Sequence, residues 1–179
     1  MKELEYPFDA AYIIKKRKSL KKALLADGTS RIRKKIAVFG GSTTSDIVKT
    51  LELFLLDAGI EPEFYESEYA QYFQDAMFPD ETLLSFKPDI VFIHTTNRNV
   101  TNWPEMTDTT EQIDEKLHTE INRFTAMWKS IAEKFHCPII QNNFEMPLYR
   151  LLGSRDAWDI HGRTNFLTRL NEAFYAYAR

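Results

Sequence analysis

The 179-residue chain is long enough for one domain with a substantial core, and its 44% hydrophobic and 27% charged content is typical of globular proteins. No apolar run approaches the roughly 18–20 residues of a membrane helix, and the charged start at residues 1–5 lacks the apolar stretch of a signal peptide. The single cysteine, Cys137, excludes an internal disulfide and a cysteine-based zinc site. We therefore expect a cytoplasmic protein with no membrane partner.

The net charge of −3 conceals a division of charge along the chain. Residues 1–35 hold 11 lysines and arginines against 4 acidic residues, whereas the remainder holds 12 basic and 22 acidic residues. A basic leader of this kind is either a solvated helix face or a surface for an acidic partner. The acidic remainder argues against general nucleic-acid binding, so we expect no nucleic-acid partner.

Residues 9–26 predict a helix that Asp9 can cap. Its apolar residues recur on one side: Ile13, Leu20 and Leu24. We expect this basic N-terminal segment, residues 1–34, to pack on an α/β domain formed by residues 35–179. The apolar side has no Trp or Phe, which weighs against a role on a membrane surface.

The stretch 35–46 predicts a buried strand over 35–39, a tight turn, and a helix from about 44 to 58. The residues predicted to form the buried stripe of this helix are Leu51, Phe54, Leu55 and Ala58. Strands and helices then alternate to the end of the chain. We predict strands at 60–65, 90–94 and 138–141, a helical turn at 79–86, and helices at 111–135 and 164–178.

This alternation predicts an α/β fold with a parallel sheet and right-handed crossovers. We expect a three-layer sandwich of flavodoxin-like type with strand order 2-1-3-4. A fifth strand is expected after the last helix, but the sequence ends at Arg179. We therefore expect the domain to be incomplete at its C-terminal side.

Open parallel sheets bind ligands at the C-terminal ends of the strands where the strand order reverses. In the expected order, this point lies between the first and third strands, and polar residues follow both of them. We therefore predict a binding crevice there. The candidate binding residues are Gly41, Thr43, Thr44, Thr96 and Arg98.

A serine in a strand-to-helix turn can act as a nucleophile when an imidazole takes its proton and N–H donors face the developing oxyanion. Ser42 is the candidate nucleophile, and Asn97 is the candidate oxyanion donor. His161 is the best-placed base by sequence, and Asp159 could orient it. His94 is the second choice as base.

Structural roles are the alternative to each of these assignments. Thr43 and Asp46 match a capping-box variant that would close the helix, and His94 could be a hydrogen-bonded core residue. Asn97 and Asn99 are also common turn formers. The chain has no Walker or dinucleotide-binding motif and no metal-ligand spacing, so we expect neither a metal nor a cofactor in it.

Three segments occur in order: KIAVFGGSTTSD at 35–46, GIEPEFYE at 59–66 with YAQY at 69–72, and FKPDIVF at 86–92. Together they resemble the N-terminal region of FkbH-like proteins. The resemblance implies an SGNH-hydrolase-like α/β domain, which a haloacid-dehalogenase-type domain follows in that family. Any Mg²⁺ would belong to that second domain, which is absent from this sequence.

The family pattern implies roles for individual residues of this chain. Ser42 matches the SGNH serine, although residues 40–43 read Gly-Gly-Ser-Thr where the family has Gly-Asp-Ser-Leu. Asn97 falls at the Gly-x-Asn-Asp block, whereas Asp159-x-His161 lies earlier than the family's Asp-x-x-His block and differs in spacing.

The resemblance leaves two functions open. The first is acyl or glyceryl transfer, or ester hydrolysis, in which Ser42 would make the chain an SGNH-type enzyme. The second is a catalytically inactive domain that docks an acyl carrier protein or a haloacid-dehalogenase-type catalytic domain. The basic segment 15–35 is the predicted docking surface of the inactive domain.

Overall fold

The computed structural model describes residues 1–179, in which a four-stranded parallel sheet has the order β2-β1-β3-β4. The strands are β1 (Ile32–Gly40), β2 (Ile60–Glu66), β3 (Ile90–His94) and β4 (Ile139–Gln141). The helices are α1 (Ala10–Ala26), α2 (Ser45–Asp57), α3 (Tyr72–Met77), α4 (Glu81–Phe86), α5 (Thr110–Phe135) and α6 (Arg163–Tyr177). The predicted α/β fold and strand order are confirmed.

Strand β1 begins three residues earlier than predicted. Ile32 pairs with Ile60 of β2, and the pairing continues without a break to Val38. Residues 33–35 of β1 are basic and at least partly exposed, so the start of the strand lacks the apolar signal of a central strand. Its last residues, from Ala37 to Gly40, are buried because helices cover both faces of the sheet there. The boundary predicted at residue 34 therefore falls inside a strand.

The main core lies on one face of the sheet. Phe39 of β1 and Ile93 of β3 pack there against α5 and α6, whose Phe124 and Phe166 are fully buried. Helix α3 covers the same face through Tyr72. A smaller cluster on the opposite face joins β1 and β3 to α2, and α1 packs on the outside of α2.

The buried residues of α2 differ from the predicted stripe. Val48, Leu53 and Leu56 are buried, whereas Leu51, Phe54 and Leu55 are only half-buried and Ala58 is exposed. The reason is that α2 is covered on two sides. Val48 packs on the sheet, while Leu53 and Leu56 pack against three residues of α1: Ile13, Leu20 and Leu24.

Helix α5 is the longest helix, with 26 residues. A capping box starts it, because Gln112 N donates to Thr109 Oγ1 while Thr109 N donates to Gln112 Oε1. One side of α5 is buried and the other carries charged residues. None of the helices combines the length and the apolar character that crossing a bilayer requires.

Candidate functional site

The turn after β1 and the loop after β3 lie side by side at the C-terminal edge of the sheet. Gly40 and His94 are register partners, and Gly41 N donates to His94 O over 2.8 Å. The strand order reverses between these two strands. The described structure therefore has polar loops at the position where open α/β sheets bind ligands.

Asn99 links these two loops. Its Nδ2 donates to Gly41 O over 2.9 Å, and its Oδ1 accepts from Thr96 N over 2.8 Å. A Cβ added at residue 41 would overlap Asn99 Oδ1 and lie 2.6 Å from Asn99 Cγ. Glycine is therefore required at position 41 by the close approach of the Asn99 amide.

The turn after β1 has many unused hydrogen-bond donors. The main-chain N–H groups of residues 42–47 make no hydrogen bond within the protein, and the first bond of the helix runs from Val48 N to Thr44 O. The hydroxyl groups of Ser42 and Thr43 are also without a partner. The edge of the sheet thus presents a row of donors that could bind an oxyanion.

The structure does not show the predicted capping box of Thr43 and Asp46 at the start of α2. Thr44 is the residue before the helix, and it makes no side-chain cap. Its Oγ1 instead donates to Glu66 Oε2 at the end of β2 over 3.2 Å. Asp46, the other member of the predicted capping pair, forms an ion pair with Arg17 of α1 over 3.0 Å.

Asn97 is held by the loop after β4. Asn97 N donates to Glu145 Oε2 over 3.1 Å, and Asn97 Nδ2 faces Glu145 O at 3.4 Å. Thr96 Oγ1 accepts from Arg98 N over 3.3 Å, and the side chain of Arg98 is exposed without an ion pair. The amide proposed as an oxyanion donor thus bonds to Glu145, a residue that the sequence did not single out.

His161 and Asp159 form the predicted pair, but the pair does not bond to Ser42. His161 Nδ1 lies 3.0 Å from Asp159 Oδ1, and His161 Nε2 lies 3.1 Å from Asp108 O. The Asp108 carbonyl and then the Asp159 carboxylate raise the pKa of His161 above its ordinary value. Both ring nitrogens are therefore occupied in joining two loops.

His94, the second choice as base, does not bond to Ser42 either. Its Nδ1 is buried without a hydrogen-bond partner, and its ring packs edge-on at 6.1 Å from the ring of Phe92. No histidine is hydrogen-bonded to Ser42 Oγ. The residues needed for proton abstraction from this serine are not assembled in the described structure.

A buried ion pair supports the loop after β3, and the sequence reasoning missed it. Glu120 of α5 is fully buried, and its Oε1 accepts from Thr101 N over 3.0 Å and from Asn102 N over 2.9 Å. Its Oε2 accepts from Arg123 over 2.7 Å, while Arg123 donates to Asn99 O over 2.7 Å. Burial opposes ionisation of Glu120, but the bonds from Thr101 and Arg123 outweigh it and hold the pKa of the carboxyl below its ordinary value.

A signal for this pair was present in the sequence. Residues 113, 117, 120 and 124 follow the helical period of the buried stripe of α5, and a glutamate stands among apolar residues there. A charged residue in such a stripe needs an internal partner. Arg123, three residues along the same helix, is that partner.

Comparisons with known proteins bear on the fold. No family model and no curated protein matches the chain. It is similar to a crystal structure of the N-terminal part of the protein BF1531 from Bacteroides fragilis, described as containing a phosphatase domain complexed with Mg, with a TM-score of 0.70 and 19% identity. The match covers 90% of this chain and 42% of that one.

The fold and this likeness define the class of the protein. The chain is an α/β domain with the fold of a region of that N-terminal part, and it spans about two fifths of the length of the solved chain. No group of three or more His, Cys, Asp or Glu residues is arranged to hold a metal ion in residues 1–179.

Proposed function

We propose that this chain is the SGNH-like, non-hydrolytic domain of a cytoplasmic FkbH-like system for acyl or glyceryl transfer. In this proposal the domain docks an acyl carrier protein through α1, and the chemistry belongs to a haloacid-dehalogenase-type domain. The observation that carries the proposal is the set of free lysines on the outer face of α1. The likeness to a protein described as containing a phosphatase domain is consistent with this division of roles.

Helix α1 carries two kinds of basic residue. Arg17 and Lys21 lie toward α2 and form ion pairs with Asp46 and Glu52, over 3.0 and 2.7 Å. The lysines on the outer face are exposed and form no ion pair. These outer lysines are Lys15, Lys18 and Lys22. Since they follow the helical spacing i, i+3, i+7, they form one line of unpaired positive charge.

Apolar side chains flank this line. Ile14 is 60% exposed and Leu25 is 52% exposed, and both lie beside Lys18 on the helical projection. A surface with an apolar strip and a row of cations fits a partner helix with the opposite pattern, acidic with an apolar strip. Acyl carrier protein, the partner that the FkbH-like resemblance implies, is the candidate.

Reversal of the outer charges is expected to weaken this docking. Each exposed ion pair contributes about 0.5 kcal/mol, so the triple variant Lys15→Glu, Lys18→Glu, Lys22→Glu should bind acyl carrier protein roughly tenfold more weakly. Titration calorimetry at low and high salt measures this, and the wild-type affinity should fall as salt rises.

A matched control makes the same change of net charge elsewhere. Three basic residues outside α1 are exposed and form no ion pair: Lys87, Lys129 and Arg150. Their joint replacement by Glu changes the net charge by the same amount and leaves the surface of α1 unaltered. The control should bind like the wild type. Equal affinity of the α1 variant and the wild type would contradict the docking function.

A second candidate function is supported by the row of free N–H groups at residues 42–47. These donors could stabilise the oxyanion of an acyl ester, with Ser42 as the nucleophile of an SGNH-type hydrolase or acyltransferase. The docking proposal predicts instead that Ser42→Ala hydrolyses p-nitrophenyl acetate at the wild-type rate, because no base is hydrogen-bonded to Ser42. A large loss of rate in Ser42→Ala would favour the hydrolase.

A further inference from the structure

The loops after β3 and β4 are bonded to each other at both ends. Close to the strands, Asn97 N donates to Glu145 Oε2 over 3.1 Å. At the far ends of the same two loops, the ring of His161 bonds to the main chain of Asp108. This second contact is made by histidine, whose ordinary pKa lies between pH 5 and 8. The contact can therefore respond to a change of pH.

Both partners of the His161 ring are acceptors. Nε2 lies 3.1 Å from the carbonyl oxygen of Asp108, and Nδ1 lies 3.0 Å from Oδ1 of Asp159. A carbonyl oxygen and a carboxylate have no proton to give, so each ring nitrogen has to be the donor. A neutral imidazole carries one N–H proton and can make only one of these two bonds. The arrangement therefore requires the imidazolium ion, with a proton on both nitrogens.

The charged groups around the ring favour the imidazolium. Two acidic residues face it: Asp159 from its own loop and Asp108 from the loop after β3. Arg155 pairs with Asp159 through Oδ2, over 2.8 Å. Lys116 of α5 pairs with Asp108 through Oδ2, over 2.6 Å. Both cations thus bind oxygen atoms other than the two that bond to His161.

Helix α6, which follows His161, contributes one further cation nearby. This is Arg163, whose guanidinium packs over the ring of Trp103 at 5.0 Å. The bond to the Asp108 carbonyl, and then the bond to the Asp159 carboxylate, raise the pKa of His161 above the ordinary value of about 6.5.

His118 of α5 shows what a neutral ring can satisfy. Its Nδ1 lies 2.8 Å from Asp114 O, and its other nitrogen makes no bond. One proton on Nδ1 is enough for that contact. Of the four histidines, only His161 has an acceptor at each ring nitrogen. The requirement for a charged ring is therefore specific to His161.

We propose that His161 is a pH-dependent latch that holds the loop after β3 against the loop after β4. The imidazolium closes the latch by donating to Asp108 O and Asp159 Oδ1 at once. When the ring gives a proton to water, the remaining proton stays on Nδ1, because the bond to a carboxylate is stronger than the bond to a carbonyl. Nε2 then faces Asp108 O with a lone pair, and the bond between the two loops is lost.

Release of the latch has a defined direction in pH. The folded protein raises the pKa of His161, so the latch contributes stability that is fully present below about pH 6.5 and is lost as the pH rises through the folded-state pKa. The loop after β3 also carries Asn97 and Arg98, two of the candidate residues at the crevice. We therefore expect this side of the crevice to loosen at higher pH.

The distance between the two loops tests the latch. In a Cys137→Ser background, spin labels on Met106→Cys and Leu148→Cys, residues that are 65% and 94% exposed, report on the two loops. The distance distribution from double electron–electron resonance should be narrow at about pH 5.5 and broad at about pH 8.5. His161→Gln has a single donor group, like the neutral ring, so its distribution should be broad at both pH values. The control His118→Gln should respond like the background protein. A distribution that does not change with pH in the background protein would overturn the proposal.

Nuclear magnetic resonance of the ring nitrogens tests the charge in the unlabelled wild type. His161 should hold a proton on both nitrogens at about pH 6.5 and should lose one only at higher pH. In Asp159→Asn, which removes a negative charge from the ring's surroundings, the titration should move to lower pH. A wild-type His161 that titrates at or below about pH 6.5, or an unchanged titration in Asp159→Asn, would show that the imidazolium does not close the latch.

Discussion

Replacement of Glu120 by alanine is expected to lower the free energy of unfolding by about 3–5 kcal/mol, because it leaves the largely buried guanidinium of Arg123, 18% exposed, without its carboxylate. The variant also removes the acceptor of four groups in the loop after β3: Thr101 N, Thr101 Oγ1, Asn102 N and Asn102 Nδ2. These contacts are partly buried, so each donor left without its acceptor adds to the loss. Urea denaturation followed by far-ultraviolet circular dichroism measures the change.

Two other variants separate the ion pair from simple truncation. Glu120→Gln keeps one acceptor oxygen for the loop but loses the charge that faces Arg123, so its stability should lie between those of the wild type and Glu120→Ala. Glu115 is exposed on the same helix and forms no ion pair, so Glu115→Ala should stay within about 0.5 kcal/mol of the wild type. If Glu120→Ala unfolds like Glu115→Ala, the network does not support the loop.

The local pattern of apolar residues was sufficient to predict the class of fold. The continuous apolar runs at 36–39 and 90–93 predicted central parallel strands, and the alternation with helices predicted the parallel α/β sheet, whose expected order 2-1-3-4 is the one observed. The prediction was wrong where one element has two neighbours. A single helical stripe assumes one buried side, but α2 packs on the sheet through Val48 and on α1 through Leu53 and Leu56.

The candidate site was harder to predict, because its contacts connect residues far apart in the chain. The strand order was enough to bring the loops after β1 and β3 together. Sequence could not show that His161 would reach back to Asp108, or that Asn97 would bond to Glu145 of the loop after β4. Asp159 and His161 are close because they are two residues apart, and that spacing carries no information about Ser42.

Replacement of Gly41 by alanine is the strongest test of how the two loops of the site are held. We expect a loss of about 1–3 kcal/mol in the free energy of unfolding, because the new methyl group must displace the Asn99 side chain from its bonds to Gly41 O and Thr96 N. The φ angle of Gly41 is not in the left-handed region, so the cost comes from this contact and not from the backbone.

A double-mutant cycle isolates that contact. Asn99→Ala alone should destabilise the chain through the lost hydrogen bonds, but it also creates space beside residue 41. Adding Gly41→Ala to Asn99→Ala should therefore cost much less than adding it to the wild type, by at least about 0.5 kcal/mol in thermal or urea unfolding. Strict additivity would show that Asn99 is not what restricts residue 41. A positive coupling would mean that the turn carrying Ser42 is positioned by the loop after β3, which Arg123 holds in turn through Asn99 O.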